Sequence, residues 1–181
     1  MEEREKEAGD PLPGRSLLVL FSYHHKNTEK IARVFADVLG AEIKLPQQVD
    51  PEEFREYSLV GFGSGIYDGK HHKSLLDLAD ILPQVTDRKA FVFSTCGIPA
   101  AVAGREYIEG YAATSHALIR EKLQSKGYTI VDEFICAGFN TNSFLKLLGG
   151  VNKGKPDAED LKRAEEFARS LLENLHMKET R

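Results

Sequence analysis

The sequence predicts an α/β protein: a three-layer, doubly wound, five-stranded parallel sheet with helices on both faces. Three observations carry this. Short unbroken apolar runs, of which Leu17, Leu18, Val19, Leu20 and Phe21 is the first, read as strands buried on both faces. Apolar residues at helical spacing follow, beginning with Ile31, Val34, Phe35, Val38 and Leu39, and the two patterns alternate along the chain without an internal repeat. The turns after the first, third and fourth strands are also the ones richest in Ser, Thr, Gly and Tyr, which a loop needed only for connection does not require.

Taken in order, residues 1–15 are charged and then rich in Gly, Asp and Pro, and are expected to form a mobile tail ahead of a single domain at 16–176. The first strand is residues 17–21, and the first helix ends at Gly40, a natural C-terminal stop. Residues 41–45 alternate and end at Pro46, which suits an edge strand. Asp50 followed by Pro51, Glu52 and Glu53 is an N-cap with Pro in the first turn of a short helix. Residues 57–62 are the third strand and 63–72 a second Gly-rich loop; the helix behind it is terminated by Pro83. Residues 90–93 are the fourth strand, leading into Ser94, Thr95, Cys96 and Gly97, and a helix is expected over 111–126 with Gly127 beyond it. Residues 128–136 are the fifth strand and 139–156 another loop. A last helix starts at Asp157 as N-cap, with a stripe of Leu161, Ala164, Phe167, Ala168, Leu171 and Leu172, and residues 177–181 are a C-terminal tail.

The length of 181 residues suits one domain with a real core. A formal net charge of −4 and a pI near 5.9 argue against a nucleic-acid surface. The two cysteines, Cys96 and Cys136, are too few for a disulfide framework and lack metal-ligand spacing, so a reducing cytoplasm is expected. No apolar stretch is long enough to span a bilayer, and the charged N-terminus lacks the apolar segment of a signal peptide.

The first polar turn is Ser22, Tyr23, His24, His25, Lys26, Asn27 and Thr28, running straight into a helix. Backbone N–H groups, small hydroxyls and the positive end of a helix dipole converge there, which suits a phosphate dianion. Through Ser22, Asn27, Thr28 and the following Glu29, Lys30, Ile31 and Ala32, this turn resembles the phosphate loop of the flavodoxin family, which ends in Asn-Thr at the start of the first helix. The family often has Gly before the Asn; here Lys26 stands in that place and would add a charge for the phosphate. The resemblance extends over most of residues 17–172. The strand order expected with it is 2-1-3-4-5, with ligands outside the C-terminal strand edges at the switch point.

The resemblance implies FMN bound without a covalent link. Its phosphate would sit in the 22–28 loop, and its ring between Ser64, Gly65, Ile66, Tyr67, Gly69, Lys70 and His71 on one side and Thr95, Cys96 and Gly97 on the other. The chain has no Trp to stack on the ring, so Tyr67 is the expected aromatic; such a stack contributes roughly 0.5–1.5 kcal/mol beyond area burial. Two readings of Gly65 and Gly69 stand side by side: a glycine that lets a backbone carbonyl turn toward a protonated flavin nitrogen, and a glycine needed only for tight turning. His24, His25, His71 and His72 sit near the switch point, but lack ligand spacing and are not expected to hold a metal. Cys96 reads as a small, soft loop residue beside the ring.

The expected function is therefore an FMN-binding electron carrier working between a reductase and an acceptor protein, in which the cofactor does the chemistry and no side chain is catalytic. The enzymatic rival is an FMN-dependent oxidoreductase passing electrons from NAD(P)H to a quinone or similar acceptor. A phosphorylated signalling receiver would need acidic residues at the end of the first strand, where this chain has Phe21, Ser22 and Tyr23.

Overall fold

The computed structural model describes residues 15–23, 25–142, 145, 147 and 149–179, with side chains placed through residue 175. Of the expectations above, His24 and residues 1–14 lie outside the described residues.

The run that opens the chain is β1 (Ser16–Phe21), with Leu17, Leu18 and Val19 fully buried. β2 (Glu42–Lys44), β3 (Leu59–Tyr67), β5 (Arg88–Cys96) and β6 (Tyr128–Ala137) complete a parallel sheet ordered β2-β1-β3-β5-β6. Allowing for numbering, this is the expected order, with one addition. A two-residue strand, β4 (Lys70–His71), pairs antiparallel with the end of β3.

That addition corrects the reading of residues 63–72 as one loop. β3 runs on through Gly63, Ser64, Gly65, Ile66 and Tyr67, and its pairing with β5 continues to Gly65 opposite Thr95. The glycines here serve packing rather than turning. A Cβ on Gly63 would lie 2.2 Å from the Phe93 ring, and one on Gly61 would lie 2.5 Å from the Phe91 ring. The true turn is only Asp68 and Gly69, both with positive φ (49° and 77°), the signature of a tight two-residue hairpin. By the same ladder Ser94, Thr95 and Cys96 belong to β5 rather than to a loop.

On one face of the sheet, α1 (Asn27–Leu39) and α6 (Ala158–Glu179) pack against the strands. Phe35 is the centre of that layer. Its ring meets those of Phe91, Phe93 and Phe134 edge-on at 5.2–5.6 Å, an arrangement aromatic quadrupoles favour. α6 starts where expected, with Asp157 Oδ1 accepting from the backbone N–H of Glu159 and Asp160 at 3.1 Å, and its backbone continues past residue 176 to Glu179. On the other face, α2 (Lys73–Ile81) and the later helices cover Val60, Phe62 and Val92.

The helix expected over 111–126 is longer and divided: α3 (Ala100–Ala103), α4 (Arg105–Ser115) and α5 (Ala117–Ser125). The break falls at His116, whose fully buried side chain turns into the core.

Candidate functional site

All of the parallel strands end at one edge, and there the turns after β1, β3 and β5 converge as the strand order requires. They line an open cleft enclosing about 420 Å³. Its first wall is Ser22, Tyr23, Asn27 and Thr28; its second is Gly65, Ile66 and Tyr67; its third is Thr95, Cys96 and Gly97.

α1 opens into the first wall. His25 and Lys26 both hold left-handed backbone angles (φ 53° and 52°), so Lys26 does occupy a position that glycine fills more cheaply. Lys26 is the N-cap, and no side chain caps the helix from that position. Ser22 Oγ accepts from the Glu29 N–H at 3.3 Å, tying the turn to the first helical residues. The positive end of α1 thus opens beside the cleft, with the Glu29 N–H taken by Ser22 and none of the first N–H groups capped by Lys26.

The next two residues are committed inward. Thr28 Oγ1 and Thr95 Oγ1 share a hydrogen bond of 2.9 Å that joins the first wall to the third. Asn27 donates from Nδ2 to the Phe139 carbonyl at 2.8 Å, which leaves its other polar atom, Oδ1, buried and without a partner. An unpartnered acceptor in that position costs about 1–3 kcal/mol unless something in the cleft donates to it.

Phe139 belongs to a fourth wall, Gly138, Phe139, Asn140 and Asn142, of which the sequence predicts 139–142 only as part of a connecting loop. The contact is close: a Cβ on Gly138 would lie 2.8 Å from Asn27 Nδ2, and one on Gly97 would lie 2.3 Å from Asn140 Nδ2. His25 crosses to the same wall, its Nε2 at 2.8 Å from Thr141 Oγ1 and its ring 4.3 Å from that of Phe139. The one signal in the sequence was the polar triplet Asn140, Thr141, Asn142 directly after an apolar strand.

Tyr67 stands at the mouth, its ring folded over Gly65, where a Cβ would sit 3.2 Å from it. Burial raises its hydroxyl pKa, so the ring is a neutral aromatic surface. Tyr23, 73% exposed, flanks the same opening. Cys96 is buried, and burial pushes its thiol up despite backbone hydrogen bonds that favour the thiolate. It is an inert thiol in the third wall.

The remaining expected site residues do not line the cleft. Ser64 is fully buried, and its hydroxyl bonds the Gly65 carbonyl and the His72 N–H. His25 bonds Thr141 and Lys26 lies 3.5 Å from Glu29, neither lining the cleft. Gly69 and Lys70 are at the exposed hairpin tip.

The two histidines that follow correct an expectation. His71 was expected to face the cofactor, but only 2% of it is exposed and its Nε2 is 3.3 Å from the Phe93 carbonyl inside the fold. Alternation along β4 puts its side chain opposite that of Lys70, so one of the two must point inward. Burial, then the neighbouring His116, bring the His71 pKa down to about 3. His72 stacks on Phe21 with ring centroids 3.6 Å apart, and its side chain caps α2 by accepting from the Ser74 N–H; burial lowers its pKa too. Neither brings positive charge to the cleft at neutral pH. Among the described residues, no group of three or more His, Cys, Asp or Glu side chains is placed to share a metal ion, and no helix is long and apolar enough to cross a membrane.

The arrangement matches known proteins at two levels. A protein of Methanocaldococcus jannaschii, itself uncharacterised, is 45% identical over 160 residues, covering 88% of this chain and 99% of its own. Oxidised flavodoxin 2 from Bacillus cereus superposes with a TM-score of 0.64 at 19% identity, covering 88% of this chain and 99% of that one. Fusobacterium nucleatum flavodoxin bound to flavin mononucleotide does so with a TM-score of 0.58 at 11% identity, over 88% and 98%. These two likenesses speak for the fold. The flavodoxin domain model matches residues 18–136 directly, from β1 almost to the end of β6, and the chain belongs to the flavodoxin family.

Proposed function

We propose that this chain binds FMN in the cleft and carries electrons between a reductase and an acceptor protein. The observation that carries the reading is the start of α1, with Asn27 and Thr28 lining the cleft and no cap from Lys26, beside a buried, partnerless Asn27 Oδ1. The two features ask for different chemistry. Free N–H groups at a helix start suit a phosphate dianion. An amide oxygen needs a donor, which a phosphate dianion is not and a polyol hydroxyl is. A ligand with a phosphate at one end of a hydroxylated chain satisfies both, and the ribityl phosphate of FMN is such a ligand.

The remaining walls suit a flat ring. Gly65 and Gly97 let the Tyr67 ring and the Asn140 amide lie close over the backbone, Tyr67 and Tyr23 supply aromatic faces, and Thr95 and Cys96 are small. Bound FMN would supply the redox chemistry. The chain's part is to hold the phosphate, orient the ring and limit its contact with water.

Anaerobic titration separates this carrier from the rival NAD(P)H-dependent oxidoreductase. The purified protein is expected to show a flavin visible spectrum that bleaches with a protein reductase and not with stoichiometric NADH or NADPH. Rapid bleaching by either nucleotide alone would favour the enzyme, and failure to bind FMN at all would remove the reading.

A further inference from the structure

Beneath the hairpin that carries the second wall lies a buried polar chain that the binding reading does not use. His71 points down from β4 and rests against His116, their ring centroids 4.9 Å apart. His116, fully buried at the break between α4 and α5, has Nε2 at 2.7 Å from Ser94 Oγ and Nδ1 at 3.0 Å from Glu133 Oε2 on β6. Arg120 on α5 closes the chain with Nη2 at 2.9 Å from the same Glu133 oxygen, and its Nε bonds Oε1. Glu133 accepts from His116 Nδ1–H, and Nε2 shares the second hydrogen bond with the Ser94 hydroxyl.

Ser94, His116 and Glu133 have the connectivity of a hydrolase triad, but Ser94 is 0% exposed and no substrate can reach it. The chain must act on what it touches, and what it touches through His71 is β4. That strand has two residues and pairs with β3 only at Ile66–His71 and Tyr67–Lys70. A hairpin this short is marginal by itself. The bond from His71 Nε2–H to the Phe93 carbonyl ties it to β5, at a site where Nδ1 is left buried and without a partner. An aliphatic side chain would avoid the cost of that orphan nitrogen, so hydrophobic packing alone does not account for histidine here.

We infer that His71 is a positioning residue: its bond to the Phe93 carbonyl holds β4, and through the β3–β4 pairing holds the Gly65–Tyr67 wall in one conformation against the flavin ring. The inference rests on the FMN reading. Its consequence is for discrimination between redox states rather than for binding as such. Oxidised and reduced flavin differ in the charge and hydrogen-bonding of the ring edge, so a wall free to shift meets each state with its own best geometry, and a fixed one does not. Loss of the clamp therefore changes the ratio of affinities for reduced and oxidised FMN.

The test compares His71→Leu with His71→Gln. The Gln amide nitrogen reaches about as far as imidazole Nε2 and can donate to the same carbonyl, whereas Leu fills the space without a donor. For each protein, calorimetry gives the affinity for oxidised FMN, and a spectroelectrochemical titration converts it to the reduced-to-oxidised affinity ratio. One hydrogen bond is worth about 0.5–1.5 kcal/mol, so the ratio in His71→Leu is expected to move by about threefold to tenfold, while His71→Gln stays within about twofold of wild type. A general loss of stability, followed by melting of the apoproteins, would not sort the two variants in this way.

An unchanged ratio in His71→Leu, or an equal change in both variants, overturns the inference while leaving FMN binding intact. Failure of the wild type to bind FMN instead overturns the reading on which it rests. Should His71→Leu not fold, the wild-type apoprotein decides. Ring-nitrogen NMR is expected to show the Nε2–H form of His71, with the amides of Tyr67 and Lys70, the hydrogen-bonded pair that closes the two-residue turn, as protected from exchange as those of β5. Exchange of those amides at the rate of an exposed loop overturns the clamp.

Discussion

Thr28 and Thr95 lie 67 residues apart in sequence and share a buried hydrogen bond of 2.9 Å between their hydroxyls. One sits in the first turn of α1 and the other near the end of β5, so the bond joins the first wall of the cleft to the third. Thr28→Val keeps the shape and removes the hydroxyl, leaving Thr95 without this partner. The apoprotein should lose about 1–3 kcal/mol. FMN and riboflavin affinities should fall together, since the change loosens both walls. Urea unfolding and paired calorimetry check it, and a loss confined to FMN would place Thr28 on the phosphate instead.

The phosphate itself has a separate signature. Charge-assisted bonds to helix N–H groups contribute about 1.5–3 kcal/mol each, so FMN should bind at least about tenfold more tightly than riboflavin. Equal affinities, measured by calorimetry with the apoprotein, would remove α1 as the anion site.

Asn27 was expected from the sequence to serve the phosphate. The structure turns its donor to Phe139 and leaves Oδ1 buried without a partner beside the cleft. Asn27→Ala should therefore weaken FMN and riboflavin alike, by about 0.5–1.5 kcal/mol, because the ribityl chain common to both loses its acceptor. A loss for FMN alone would return Asn27 to the phosphate.

These three residues mark how far the sequence could be read. The strand order and the three converging turns were legible because apolar runs and helical periodicity report burial directly. The end of β3 was not, since Gly63 and Gly65 carry no side chain to show an alternation. Their reason for being glycine lies across the sheet, in the rings of Phe93 and, after the fold of β3, Tyr67. The fourth wall was hidden for a similar cause. Asn27 and Phe139 are 112 residues apart, and nothing local to either announces the other. His71 was misplaced because a His next to a Lys in a polar stretch reads as surface. Only the two-residue pairing of β4 decides which of the two faces inward.

The same glycine geometry gives a stability prediction. Gly63→Ala would put a methyl group 2.2 Å from the Phe93 ring in a layer where Phe35, Phe91 and Phe134 already meet. Overpacking of this kind costs about 1–3 kcal/mol or more, visible as a lower urea midpoint with an unchanged slope. An unaltered midpoint would mean that the ring moves aside freely.

Acid should weaken the fold earlier than carboxylates alone would allow, and His71 is the reason. Its pKa is 6.5 in an unstructured chain and about 3 when folded, because burial and then His116 disfavour the charged ring more strongly than Glu133 and the carbonyls of Phe93 and Ser115 favour it. Above pH 6.5 the ring is neutral in both states, so the folded protein bears no penalty. As the pH falls below 6.5, the unfolded chain takes up a proton that the folded one refuses, and stability declines until about pH 3. Over that span the loss is on the order of 4–5 kcal/mol, a large part of the 5–15 kcal/mol of a typical domain. Glu133 adds to it only lower down. Burial would raise its carboxyl, but hydrogen bonds from His116 and Arg120 outweigh that and bring it from 4.5 to about 2, so its contribution is lost between those values. Urea midpoints measured from pH 7.5 to 4.5 should thus fall steadily for the wild type. In His71→Gln, which keeps a donor to Phe93 and has nothing to titrate at that position, they should fall distinctly less, the remaining decline including that of His72, whose pKa burial also lowers. Parallel declines in the two proteins would show that the ring can leave its site and take up its proton in water.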